Sequence, residues 1–286
     1  RRPPPIRFSP APSPSPPTPA LLRILAPRCA GYNDPPMQIL LSNDDGITAP
    51  GLAALRQELT SLGTVHVVAP DSPQSAAAHG ITVNGPVAVR KVHVRDAFIG
   101  YSVEGRPADC VKLAVRELLP EPPDLVVSGI NDGANVAINV LYSGTVAAAA
   151  EGALLGFPAI AVSLKQGDTR DFQRAARLVL PIIRRLLDLG LAPGELININ
   201  VPDLTPGDPR GIRVVPMATR VMEDRFARHS APDGRDYYWL LCEDFTGAKT
   251  NVQSDLDAIE ERYISLTPLQ FDMTQYARLE QLSKQL

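Results

Sequence analysis

Met37-Gln38-Ile39-Leu40-Leu41-Ser42-Asn43-Asp44-Asp45-Gly46 decides how the rest of the chain is read. Met37 to Ser42 is a short, mostly apolar run, the pattern of a strand buried on both faces, and it closes in a polar loop. Next, Pro50 to Leu62 sets Leu52, Leu55, Leu59 and Leu62 at helical spacing, with Pro50 in the first turn and Gly63 just past the end. Val65 to Ala69 is a second buried strand. Strand, helix and strand on short links make a right-handed parallel crossover unit.

The alternation continues downstream. Ile81 to Val103 alternates around Gly85-Pro86 and Gly100, which predicts antiparallel strands before the next crossover. Ala108 to Leu118 reads as a helix, Asp124 to Ser128 as a buried strand, Gly144 to Leu155 as an Ala-rich helix and Ala159 to Ser163 as a strand. Phe172 to Leu189 is a long amphipathic helix, expected to kink at Pro181, and Ile197 to Val201 a strand. The fold class expected is α/β: a doubly wound, mostly parallel sheet with helices on both faces. Past Pro206 the pattern loosens, with strands at Tyr237 to Leu241 and Tyr263 to Leu266 and a terminal helix. The organisation expected is therefore a core over 37–204 and a C-terminal extension over 205–286.

The first 36 residues differ in texture. They hold 12 of the 29 prolines, several Arg and one acidic residue, Asp34, a composition that cannot pack a core. Disorder is expected there, as a transit segment or as an over-extended start ahead of Met37; the proline density speaks for the second.

With 44% hydrophobic and 21% charged residues, the 286-residue chain is long enough to bury a sizeable core. A formal charge of −3 lacks the basic excess that neutralising a nucleic-acid backbone requires, so no nucleic-acid partner is expected. No apolar stretch is long and uninterrupted enough to span a bilayer. Cys29, Cys110 and Cys242 are odd in number and far apart, which fits neither a disulfide framework nor a zinc knuckle, so a reducing, cytoplasmic location is expected.

In a parallel sheet the loops following different strands meet above one edge. Three loops qualify: Asn43-Asp44-Asp45-Gly46, Asp71 to Ser75, and Gly129-Ile130-Asn131-Asp132-Gly133-Ala134-Asn135, with His79 nearby. Adjacent carboxylates repel, and a dication between them makes sense of Asp44-Asp45, although Asp-Asp-Gly alone is also a common polar turn. All-oxygen ligation favours magnesium, manganese or calcium over zinc. Ser143-Gly144-Thr145 opens the Ala-rich helix and reads either as a phosphate cradle or as a plain N-cap. Asp71 reads as an Asx-type turn residue, Asp109 and Cys110 as helix-start and core residues, and the Tyr237-Tyr238-Trp239 strand as packing at a core or subunit contact.

Several blocks now resemble the SurE family. They are Ile39-Leu40-Leu41-Ser42-Asn43-Asp44-Asp45-Gly46, Val67-Val68-Ala69-Pro70-Asp71 with Ser75, Gly105-Arg106-Pro107-Ala108-Asp109-Cys110-Val111-Lys112, Ser128-Gly129-Ile130-Asn131, Tyr142-Ser143-Gly144-Thr145, Ile197-Asn198-Ile199-Asn200-Val201-Pro202 and Tyr263-Ile264-Ser265-Leu266-Thr267-Pro268. The resemblance implies a Rossmann-like fold and a 5′- and 3′-nucleotidase with some exopolyphosphatase activity. It also implies a homo-oligomer, dimer or tetramer, whose C-terminal extension is exchanged between subunits. Carried over, the family's ligands for one Mg2+ or Mn2+ per subunit fall on Asp44, Asp45, Ser75 and Asn131, and its phosphate contacts on Asn43, Asn135, Ser143, Gly144 and Thr145. Two departures stand out: Gln74 where many relatives carry Arg, and Ala137 where a Gly is frequent.

On this reading Asp44 orients or deprotonates the attacking water while Asp45 is a ligand, or the two exchange roles. His79 is either the acid that protonates the leaving alkoxide or a hydrogen-bonding loop residue. One rival is an aspartyl-phosphate phosphatase, which calls for Asp-x-Asp in place of adjacent carboxylates. Others are a non-catalytic nucleotide-binding or regulatory module and an assembly protein with vestigial catalysis.

Overall fold

The computed structural model describes residues 36–94, 97–246 and 253–286. Chain order begins with β1 (Met37–Ser42), α1 (Pro50–Leu59), β2 (Gly63–Pro70), β3 (Val89–Val94), β4 (Phe98–Val103) and α2 (Pro107–Leu113), which runs into a π-helical turn at Ala114–Leu118. It continues through β5 (Leu125–Asp132), α3 (Asn139–Tyr142), α4 (Gly144–Leu154), β6 (Ala159–Leu164), α5 (Phe172–Asp188) and β7 (Leu196–Val201). The remainder is β8 (Ile212–Val214), β9 (Val221–Ser230), β10 (Asp236–Thr246), α6 (Asp255–Glu260), β11 (Ile264–Leu269) and α7 (Tyr276–Gln285).

A nine-stranded sheet has the order β3-β4-β2-β1-β5-β6-β7-β11-β8. The strands from β4 through β7 in that order are mutually parallel, while β3 pairs antiparallel with β4 and β11 antiparallel with β7. Apolar residues alternate along each central strand between two helical layers. Ile39 and Leu41 of β1 and Val127 of β5 pack with Leu52 and Leu55 of α1 and Val179 and Ile183 of α5. Leu40 and Val126 face the other way, onto Cys110 and Val111 of α2 and Ala148 and Ala149 of α4. Both faces are covered, which is why these strands read as continuous apolar runs.

From β1 the chain builds outward to β2 on one side and later returns to β5 on the other. The carboxyl ends of β1 and β5 therefore border the point where strand order reverses, the place where open α/β sheets bind ligands. Asn43 to Asp45 follow β1 there, while β5 runs past the expected end at Ser128 to Asp132, pairing Asn131 with Ser163 and Asp132 with Leu164, so only Gly133 to Asn135 leave the sheet after it.

Some boundaries differ from the sequence reading. α1 stops at Leu59 because β2 begins at Gly63 and pairs it with Met37, so Leu62 falls in the connecting turn. Of Ile81 to Val103, only β3 and β4 form the antiparallel pair. Pro181 lies within α5. The expectations for residues 1–35 fall outside the described residues.

The segment expected as a C-terminal extension divides in two. β8 and β11 complete the main sheet, β11 by pairing Ser265 with Asn200 and Leu266 with Ile199. β9 and β10 form a separate two-stranded ribbon. Tyr238 and Trp239 of that ribbon are exposed, so they do not pack into this chain's core.

Candidate active site

Asp44 stands two residues past the end of β1, at the reversal point of the sheet. Its side chain is buried, and the Thr145 hydroxyl, in the first turn of α4, donates to Asp44 Oδ1. Burial pushes the Asp44 carboxyl up to about 6, with the charge of Asp45 adding to the rise and the hydroxyl and backbone of Thr145 opposing it. The positive end of the α4 dipole thus faces a carboxylate that burial would otherwise neutralise. Gly144 makes this approach possible: a Cβ there would stand 2.7 Å from Asp44 Cβ and 3.0 Å from Asp44 Oδ2.

Asp45 is half-buried. The backbone N–H of Asp132 donates to Asp45 Oδ2 at 3.1 Å, joining the end of β5 to the β1 loop. Burial raises the Asp45 carboxyl, with Asp132 adding to the rise. Arg170, ahead of α5, offsets that neighbour by placing Nε 2.8 Å and 2.7 Å from the two Asp132 oxygens. Gly46 closes the turn at φ +96°, a conformation that L side chains avoid.

The third loop is tied to the same centre. Gln74 N–H donates to the Asp44 carbonyl at 2.7 Å, and Ala78 N–H to the Tyr142 carbonyl at 3.0 Å. Ser75, between these fastenings, is exposed. Asp71 takes a bond from the Ser72 hydroxyl at 2.9 Å, a local turn contact. The three loops expected to converge are thus linked by hydrogen bonds through Asp44 and Asp45.

Other site residues are oriented by the fold. Asn131 Nδ2 donates to the Gly133 carbonyl at 2.7 Å, an orientation that leaves the amide oxygen free of that bond. Asn43 Nδ2 donates to the Gly46 carbonyl at 3.1 Å, and its buried Oδ1 has no partner. Asn43 therefore keeps a free acceptor oxygen and a second N–H on Nδ2. Ser143 Oγ accepts from Val146 N–H at 3.0 Å, a helix N-cap. Asn135 is turned inward: its Nδ2 donates to Ser163 Oγ at 2.8 Å, and its carbonyl accepts from Asn198 at 2.8 Å and Asn200 at 3.1 Å.

The donor chemistry fits a hard divalent cation. Among the described residues no group of three His, Cys, Asp or Glu side chains is placed to hold a metal, so the set has to draw on hydroxyl and amide oxygens. Asp44, Asp45, the Asn131 oxygen and the Ser75 hydroxyl are oxygens of the kind such a set would use. The buried Asn43 Oδ1, which has no partner, is an oxygen such a cation could take.

His79 is drawn elsewhere. Its Nε2 lies 2.9 Å from Glu151 Oε2, and Lys112 Nζ lies 2.5 Å from Glu151 Oε1. Glu151 is six residues beyond Thr145 on α4, about 9 Å along the helix axis. Glu151, Lys112 and Arg170 were not legible as site neighbours, because each meets its partner from a distant element, whereas Asp132 lies in one of the three loops expected at the site. Cys110 is a fully buried core residue, and burial pushes its thiol well above the ordinary range.

Ala137 sits at φ 51°, in the left-handed region, and its N–H donates to the buried Asp255 carboxylate at 3.1 Å. An alanine there costs about 1 kcal/mol relative to glycine. Ala137→Gly is expected to raise stability by roughly 0.5–1 kcal/mol, read as an upward shift of the denaturant midpoint at constant slope. A lowered midpoint would remove strain as the account of this position.

The sequence pattern of the family described as "Survival protein SurE" matches residues 39–224. A protein named 5′-nucleotidase SurE from Pelotomaculum thermopropionicum is 45% identical over 251 residues, spanning 87% of this chain and 95% of its own. Another of that name from Desulforudis audaxviator is 45% identical over 253 residues, spanning 87% and 97%. The crystal structure of the SurE protein from Aquifex aeolicus shares the fold with a TM-score of 0.74 at 36% identity, over 86% of this chain and 98% of that one. With the sheet order, the acidic doublet at its reversal point and these similarities together, the chain belongs to the SurE family.

Proposed function

We propose that this chain is a divalent-metal-dependent phosphomonoesterase that hydrolyses nucleoside 5′- and 3′-monophosphates to nucleoside and phosphate, with polyphosphate as a further substrate. The observation that carries this reading is the buried Asp44 carboxylate, seated against the first turn of α4 and beside Asp45 at the reversal point of the sheet. The relatives' names supply the substrate class, and the oxygen donors supply the metal preference for magnesium or manganese, one ion per subunit.

Asp44, Asp45, Ser75 and Asn131 would hold the cation, which supplies Lewis-acid neutralisation of phosphate charge. Asp45 is steadied by the Asp132 N–H and is the simpler ligand. Asp44 takes the proton of the attacking water. The opening of α4 at Ser143 to Thr145 sets its positive end toward the substrate phosphate as charge builds.

The chain is further read as a cytoplasmic homo-oligomer. A two-stranded ribbon is marginal by itself, and β9–β10 exposes Phe226, Tyr238, Trp239 and Leu240, which a second copy of the chain would cover. Among the described residues no helix is long and apolar enough to cross a membrane.

The test is phosphate release measured over a matrix of metals and substrates. After EDTA treatment the rate on nucleoside monophosphates is expected to fall by roughly 10³-fold or more and to return with Mn2+ or Mg2+. The half-saturating metal concentration should climb as pH drops below about 6, because Asp44 must lose a proton to bind. Undiminished turnover after exhaustive chelation would sink the reading.

A further inference from the structure

Loop 71–80 carries Ser75 next to Gln74, whose N–H bonds to the Asp44 carbonyl, and it does so in an unfavourable backbone state. Ala76 and Ala78 both lie in the left-handed region, at φ 55° and 50°. Such a conformation persists only where neighbours over-determine it. Backbone bonds to Asp44 and Tyr142 fasten one stretch, and beyond the loop Thr82 N–H and Oγ1 reach Asp109 at 2.9 Å and 2.6 Å. Between them stands the His79 to Glu151 contact at 2.9 Å.

That contact, like the one from Thr82 to Asp109, is built on a buried carboxylate. Glu151 is 5% exposed and is the single charged residue of an otherwise Gly-, Ala-, Val-, Thr- and Leu-built helix. Buried carboxylates survive when paired and hydrogen-bonded on both oxygens, and here His79 takes one and Lys112 the other. His79 and Lys112 hold the Glu151 carboxyl below its ordinary range, against the upward push of burial. The three side chains come from the loop, from α2 and from α4, so nothing local requires them to meet.

We propose that Glu151 is a positioning residue: through His79 it pins loop 71–80 so that the Ser75 hydroxyl stays beside Asp44 and Asp45, with Lys112 completing the carboxylate's partners. The inference rests on the reading of Ser75 as a metal ligand. It assigns His79 a fastening role in place of proton transfer.

The test compares wild type, Glu151→Gln, His79→Ala and the double variant. Amide hydrogen exchange over residues 71–82 of the metal-free protein reads the fastening, calorimetric titration with Mn2+ alone reads the ligand geometry, and phosphate release reads kcat. Each single variant should exchange about tenfold faster in this loop, with the double variant no faster than either single one. Mn2+ affinity should fall several-fold, and kcat should recover at saturating Mn2+.

Should Glu151→Gln not fold, the partly exposed His79→Ala carries the comparison alone. Unchanged exchange in folded variants overturns the proposal, and so does faster exchange with unaltered Mn2+ affinity. A kcat deficit of His79→Ala of about 10²-fold that Mn2+ does not restore would return His79 to proton transfer and overturn it as well. Failure of the underlying metal reading shows separately, as Mn2+ affinity unchanged in Ser75→Ala.

Discussion

Asp44→Asn is expected to yield a folded protein whose phosphate release is lower by roughly 10³-fold or more at saturating Mn2+. The side chain's shape and the Thr145 contact survive the change, since an amide oxygen can accept the same hydroxyl. What disappears is one ligand charge and the proton acceptor. Stability should move in the opposite direction. The folded carboxyl titrates near 6, above its ordinary 3.8, so its contribution is fully present at low pH and lost as pH rises through about 6. At neutral pH the ionised group therefore disfavours the metal-free fold by an amount on the order of a few kcal/mol, which Asn removes. The metal-free variant should melt at or above the wild-type temperature at pH 7.5, and added Mn2+ should lift wild type more than the variant. A folded variant with near-normal turnover would take Asp44 out of the mechanism. One that melts well below the metal-free wild type would contradict the view of a site held at the expense of stability.

The core of the architecture was legible because it is local. β1, α1 and β2 follow one another with apolar periods that switch from continuous to helical and back, and the loops after β1 and β5 carry their polar residues in plain view. Partners far apart in sequence were not. Tyr263 to Leu266 reads as a strand, but nothing in those residues announces that it runs to Leu269, pairs with β7 and completes the main sheet; that follows from Ser265 and Thr267 lying opposite Asn200 and Asn198. The same holds for Glu151. On an Ala-rich helix a lone Glu reads as the solvent-facing residue, and its burial becomes intelligible only once His79 and Lys112 arrive from two other elements. Asp109 shows a residue carrying two duties, one of them hidden: it caps the start of α2 through the Arg106 N–H at 2.9 Å and also receives Thr82. The candidate ligands were placed by loop geometry and by resemblance, while the atoms they present depend on amide orientations that only the surrounding bonds decide.

Gly144→Ala is expected to lower phosphate release by about 10²-fold, comparable to displacing a reacting group by an ångström. The added Cβ would stand 2.7 Å from Asp44 Cβ and 3.1 Å from Pro107 Cγ. Asp44 Cβ cannot swing aside, because it is one bond from the β1 loop, so α4 must recoil and take the Thr145 hydroxyl off Asp44. Overpacking at such a point also costs about 1–3 kcal/mol of stability. A control separates the two effects. Gly152→Ala, farther along the same helix, drives its Cβ to 2.7 Å from Val126 Cβ and 2.8 Å from both methyl carbons, a clash of similar size placed wholly in the core. Gly152→Ala should lose comparable stability in denaturant titrations yet keep its Mn2+ affinity and kcat at temperatures where it is folded. If both variants lose activity in step with stability, the glycine at the head of α4 serves packing alone. If Gly144→Ala loses activity while Gly152→Ala does not, the spacing between the helix start and Asp44 is part of the catalytic apparatus.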